Sequence, residues 1–175
     1  MRTLAGFAFD HDRGRLKSDL IRAVLGGLSR GEVAQLTKEF LDGTLATAVR
    51  HRALNVIERH RSIGDHLVLM SASTDIYVRA IGTRLGFDDV ICTELEWQGD
   101  RLTGALSSPN IRGAEKTRCL VQLRTESPAA RITAYANAGS DLEHLALADQ
   151  GVLVNGSLWN RLRAARRGIE RATWS

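Results

Sequence analysis

The residues of this 175-residue chain that are best placed for chemistry are carboxylates, hydroxyls and one lysine at the ends of apolar runs. Asp10 and Asp12 close the run Leu4-Ala5-Gly6-Phe7-Ala8-Phe9. Ser71-Ala72-Ser73 follows Leu67-Val68-Leu69-Met70, and Asn137 to Asp141 follows Ile132-Thr133-Ala134-Tyr135-Ala136. Two aspartates separated by one residue at a strand end point to opposite sides, so that one can attack a substrate while the other handles a proton. A carboxylate nucleophile suits phosphoryl transfer. Such a reaction calls for a cation, because carboxylate and phosphate monoester repel one another until charge is neutralised. Magnesium, which prefers oxygen ligands, fits that demand. A strand-end hydroxyl and a lysine would then hold the phosphoryl oxygens.

These residues need strands to carry them and helices to cover those strands. Strands are expected over Thr3–Asp10, His66–Met70, Val90–Cys92, Arg131–Ala136 and Gly151–Asn155, and a hairpin is expected from Leu95 and Trp97 through Gly99-Asp100 to Leu102. Helical spacing governs Arg15 to Ser62, where Leu16, Leu20, Ile21, Val24, Leu25 and Leu28 share one face. Helices also follow Ser73, Lys116 and Asp141. Continuous apolar strands alternating with helices imply an α/β fold with a doubly wound, mainly parallel sheet. In such sheets ligands bind beyond the carboxyl ends of the strands, where all three polar clusters fall.

Four segments taken in order resemble the haloacid dehalogenase superfamily, in its phosphoserine phosphatase-like branch (subfamily IB). They are Phe7-Ala8-Phe9-Asp10-His11-Asp12, Leu67 to Ser73, the lysine of Arg112-Gly113-Ala114-Glu115-Lys116, and Ala134 to Asp141. The resemblance implies a Rossmannoid core formed by residues 1–14 and 62–175, with residues 15–61 as a reduced helical cap. It implies that Asp10 forms an aspartyl-phosphate and that Asp12 serves as general acid and then base. Ser71 and Ala72 would bind the phosphoryl group, and Lys116 would steady nucleophile and phosphate. Magnesium would lie among Asp10, Asp12, Asn137 and Asp141. The implied activity is magnesium-dependent hydrolysis of a small phosphate monoester. The alternative is an impaired relative that binds a phosphorylated ligand or partner without turnover. Three departures from the family pattern favour that alternative: Arg13-Gly14 in place of Gly-Thr, Asn137 in place of an aspartate, and the short cap.

Composition bounds these readings. Hydrophobic residues make up 43% and charged residues 25% of the chain, as in ordinary globular domains, and no run reaches the ~20 apolar residues of a membrane span. No signal peptide is read, and only Cys92 and Cys119 occur, in apolar settings, so a cytoplasmic protein without structural disulfides is expected. The net charge of +4 draws on the arginines of Asn160 to Arg171. A nucleic-acid role for that run ranks last, because stacking aromatics are not interleaved in it. Several residues receive structural readings: His11 as a spacer, His144 as a partly exposed helix residue, Gly43 as a helix cap, Trp97 as packing, and Trp159 and Trp174 as anchors of the C-terminal helix.

Overall fold

A computed structural model describes residues 3–174, with the side chains of residues 3–12 and 45–46 outside the description. The chain forms two compact units, residues 1–111 and 112–175.

The first unit begins with three helices, α1 (Thr3–Leu25), α2 (Arg30–Ala48) and α3 (His51–Ser62). Strand β1 (Val68–Thr74), helix α4 (Asp75–Leu85), strand β2 (Asp89–Thr93) and the hairpin strands β3 (Leu95–Gln98) and β4 (Arg101–Leu106) follow. β1 and β2 are parallel, and β3 and β4 are antiparallel. The expected strand over Thr3–Asp10 is not formed, because α1 runs through it. Beyond Thr3 this stretch has no β-branched residue, and leucine and alanine favour helix. It is therefore continuous with the helical pattern that starts at Arg15.

α2 opens on a capping box. Ser29 Oγ accepts from the Glu32 amide at 3.2 Å, and Glu32 Oε2 accepts from the Ser29 amide at 2.8 Å. The Ser29 amide, together with the Ser29 hydroxyl that also donates to Glu32 Oε2, holds the Glu32 carboxyl below its ordinary pKa. Gly43, expected as a cap, lies inside α2. A single glycine costs a helix only ~1 kcal/mol relative to alanine, and Leu41 beside it is buried. α4 ends on Gly86 in the left-handed conformation (φ 69°), with the Phe87 amide bonded to the Gly82 carbonyl.

The core of this unit is Val33, Leu95 and Leu102, with Ile21, Leu25, Leu28, Ile76, Trp97 and Leu106 packed around them. The apolar face expected on α1 therefore divides. Ile21 and Leu25 pack inward, whereas Leu16, Leu20 and Val24 are exposed. α1 approaches β4 so closely that a Cβ on Gly104 (φ +80°) would sit 2.5 Å from the Arg22 Cα. Trp97 packs as expected, and the Arg30 guanidinium lies 4.3 Å over its ring.

The second unit contains α5 (Ala114–Glu126), β5 (Thr133–Ala136), a 3-10 turn at Gly139–Asp141, α6 (Leu142–Leu147), β6 (Gln150–Val154), α7 (Leu158–Ala165) and β7 (Glu170–Ala172). Its three strands form one parallel sheet in the order β5-β6-β7. The short β7, which sequence periodicity does not announce, pairs with β6. Leu142, Leu145, Leu153, Ala164 and Ile169 make the core, with Ala134 and Ala136 against it. Trp174 packs on Tyr135 with ring centroids 5.7 Å apart. Trp159, expected to anchor α7, is instead 67% exposed, because α7 buries Ala164 inward. Both cysteines are free and buried. The parallel sheets and their covering helices constitute an α/β fold, and no helix among the described residues is long and apolar enough to cross a membrane.

Candidate functional site

In the first unit the site residues lie on an irregularity in β1. Ser71 pairs with Cys92 and Thr74 with Thr93, so Ala72 and Ser73 have no partner in register on β2. Such a bulge re-aims side chains and frees ladder groups that must be satisfied elsewhere. The Ser73 amide donates to Ser71 Oγ at 3.1 Å, which fixes the oxygen while the hydroxyl proton remains a donor. The Ala72 carbonyl accepts from the Thr93 hydroxyl at 2.9 Å and from the Lys17 ammonium at 2.5 Å. Lys17 also donates to Asn110 Oδ1 at 2.5 Å. Thr93, completely buried, accepts in turn from the Ile111 amide at 3.1 Å.

Burial governs ionisation around this strand end. It raises the Asp75 carboxyl above its ordinary pKa, against the opposing hydrogen bond from the Leu95 amide, and it raises the Cys92 thiol in the same way. Sequence reasoning did not find Lys17, Thr93 or Asn110. Nothing in their spacing marks them, since α1, β2 and the loop after β4 are far apart in the chain.

Asp10 and Asp12, the expected nucleophile and proton carrier, fall within the bounds of α1, and their side chains lie outside the described residues. The reading of His11 as a spacer lies outside them as well.

In the second unit Lys116, on the first turns of α5, donates to Asp141 Oδ2 at 3.2 Å. The two side chains are 13% and 7% exposed, so this is a buried ion pair and not a surface lysine. Ser140 Oγ lies 3.3 Å from the other carboxylate oxygen and donates to it. Asn137, just past β5, is exposed. His144, on the next turn of the chain, is 5% exposed, and its buried Nδ1 has no hydrogen-bonding partner among the described residues. This corrects the reading of a partly exposed histidine: Leu142 and Leu145 draw that face of α6 into the core. Burial pushes the imidazole below its ordinary pKa. The nearby Asp141 carboxylate opposes that shift and the Lys116 ammonium adds to it.

Among the described residues no three of histidine, cysteine, aspartate and glutamate converge to hold a metal ion. Asp141 is engaged by an ammonium and Asn137 offers only a neutral oxygen, so these two alone do not make up a magnesium site.

Comparison with known proteins places this arrangement. The sequence profile of haloacid dehalogenase-like hydrolases matches residues 3–146. Protein CicA of Caulobacter vibrioides is 32% identical over 150 residues, covering 84% of this chain and 66% of that protein. A protein of unknown function from Bordetella pertussis Tohama I shares the fold with a TM-score of 0.79 at 21% identity, over 89% of this chain and 72% of that one. A phospho-aspartyl intermediate analogue of phosphoserine phosphatase shares it with a TM-score of 0.68 at 16% identity, over 94% and 72%. The chain thus spans just under two thirds of the Caulobacter protein's length. With the profile matched across most of its residues, the chain belongs to the haloacid dehalogenase-like hydrolase family.

Proposed function

We propose that the chain hydrolyses a small phosphate monoester. The observation that carries this reading is the buried Lys116–Asp141 pair, a cation held at the head of a helix by a carboxylate in the turn that follows a parallel strand. Family membership supports it, as does the phosphoserine phosphatase intermediate analogue of like fold. In this reading Ser71 and Ala72 take phosphoryl oxygens through hydroxyl and backbone donors, and Lys116 offsets phosphoryl charge. Asp10 attacks phosphorus, and the leaving alcohol takes a proton from Asp12. Water then cleaves the aspartyl-phosphate with Asp12 as base, releasing phosphate. Asp10, Asp12, Asn137 and Asp141 are the residues that would hold magnesium, whose contribution is charge neutralisation. The proposed setting is cytoplasmic, with a small phosphorylated molecule as partner.

A second reading, in which a phosphorylated ligand or partner is bound without turnover, is favoured by two observations. α1 occupies the place expected for the strand ending at Asp10, and Asn137 is neutral where the family has aspartate. One assay separates the readings: release of p-nitrophenol from its phosphate ester, with and without magnesium, by the unaltered chain and by Asp10→Asn. Magnesium-dependent release lost in the variant supports hydrolysis at Asp10. Release equal in both removes Asp10 from the mechanism. With no release, the bound-ligand reading predicts that Asn137→Asp gains magnesium-dependent thermal stabilisation that the unaltered chain lacks.

A further inference from the structure

We infer that the outward face of α7 docks the protein on an anionic lipid surface. Leu158, Trp159 and Leu162 enter the headgroup layer while Arg161, Arg163 and Arg166 meet lipid phosphates. This role stands apart from the proposed hydrolysis and does not depend on it. α7 is held firmly by its inner side. Ala164 is fully buried in the core of the second unit. Asn160, one turn earlier, packs on the turn after β5, where a Cβ on Gly139 would lie 2.5 Å from Asn160 Oδ1. The Ser157 hydroxyl caps the first turn by accepting from the Asn160 amide, and the Ile169 amide closes the last turn on the Ala164 carbonyl at 3.1 Å.

With Asn160 and Ala164 turned inward, helical spacing places Leu158 and Leu162 together on the outer side, with Trp159 three residues before Leu162. The three side chains are 76%, 50% and 67% exposed in that order. Arg161 follows Leu158 by three residues, Arg163 follows Trp159 by four and Arg166 follows Leu162 by four, so guanidinium groups rim the apolar patch. Among the described residues none of these three arginines meets a carboxylate. No aspartate or glutamate occurs from Gln150 to Ile169. On α5 of the same unit, by contrast, Arg118 pairs with Glu115 and Arg124 with Asp149.

A rim of unpaired cations around apolar tips calls for a partner that is anionic and apolar at once, and the cytoplasmic leaflet of a membrane is both. The patch exposes on the order of 400 Å² of side-chain surface, about half of what each partner gives to a standard protein interface. A bilayer sets no such minimum. A second copy docked face to face would bring arginine against arginine with no acid between them. A nucleic acid would meet the arginines but leave Leu158 and Leu162 in water.

The test floats the full chain with vesicles of phosphatidylcholine alone and of phosphatidylcholine mixed equally with phosphatidylglycerol, at low and at high salt. Its variants are Arg161→Gln/Arg163→Gln/Arg166→Gln, Leu158→Ser/Leu162→Ser and Trp159→Phe, each checked by thermal unfolding. Arg161→Gln/Arg166→Gln, altered only at exposed positions, keeps the test decisive if the triple variant fails to fold. Binding is expected to the anionic vesicles alone, weakened about fivefold for each arginine removed and weakened again by salt. Leu158→Ser/Leu162→Ser is expected to weaken it about tenfold. Trp159→Phe should still bind but lose the blue shift in tryptophan emission that anionic vesicles produce in the unaltered chain.

No flotation with anionic vesicles overturns the inference, and so does equal flotation of the arginine variants. Flotation that ignores the leucine substitutions and leaves tryptophan emission unshifted overturns it as well, since the contact is then one of net charge. Dimerisation abolished by Leu158→Ser/Leu162→Ser, without flotation, overturns it in favour of a second copy. Retention of a short RNA without flotation overturns it in favour of a nucleic acid.

Discussion

The Lys116 ammonium and the Asp141 carboxylate meet at 3.2 Å with both side chains largely withdrawn from water. A buried pair of this kind gains little over a well-packed apolar pair, but removing one partner strands the other charge. Lys116→Met is therefore expected to cost about 3 kcal/mol by urea unfolding. Adding Asp141→Asn to the same chain should recover part of that loss, because the stranded carboxylate is gone. Additive losses in the double variant would show that the two residues do not act as a pair.

Much of the fold was legible because its signals are local. Apolar runs of three to five residues located β1, β2, β5 and β6 to within a few residues, and Gly99-Asp100 located the hairpin. The segment before Asp10 was misread because a short apolar run has the same composition in a strand as in a buried helix, and periodicity alone does not separate the two. Length decides such cases, and here the helix continues to Leu25. The order Ser71, Lys116, Asp141 was legible as family pattern. The contacts of Lys17 with Ala72 and Asn110 were not, since they depend on tertiary packing between residues 55 and 93 positions apart. Burial of His144 escaped notice for a related reason: α6 is only six residues long, too short for its apolar spacing to fix a face.

Thr93 is the hinge of the hydrogen bonding at the β1 bulge. Its hydroxyl donates to the Ala72 carbonyl and accepts from the Ile111 amide while being wholly buried. Valine has nearly the same shape but satisfies neither group, so Thr93→Val is expected to cost about 2 kcal/mol. Thr93→Ser, which keeps both bonds and loses one methyl, should cost about 1 kcal/mol. Chemical denaturation ranks the two variants, and a valine variant as stable as the serine one would show that the bonds contribute nothing.

Gly82 reverses the usual helix rule. Alanine ordinarily stabilises a helix interior over glycine by about 1 kcal/mol. Here a Cβ would lie 2.4 Å from Val90 Cγ2, because α4 packs directly on β2. Gly82→Ala is therefore expected to destabilise by about 1–3 kcal/mol. In the background of Val90→Ala, which removes the clashing methyl, the same substitution should become neutral or stabilising. The sign change, read as the coupling energy of a double-mutant cycle, checks the contact.

His144 gives the protein an acid-sensitive element. Burial first, and the Lys116 ammonium after it, lower the imidazole pKa in the folded state against the opposing Asp141 carboxylate, whereas the unfolded chain keeps the ordinary value of 6.5. Between those two values the unfolded state binds the extra proton, so stability rises with pH across the window and is lost as pH falls from about 6.5 toward the lowered folded value. Below that value the loss levels off. His144→Leu, close in volume, removes both the titration and the unpartnered Nδ1. It is expected to raise stability by about 1 kcal/mol at pH 7 and by more at pH 5, where the histidine penalty has grown. Thermal melts of the two proteins from pH 5 to 8 should thus diverge on the acid side. Parallel curves would mean that His144 keeps an ordinary pKa in the folded protein.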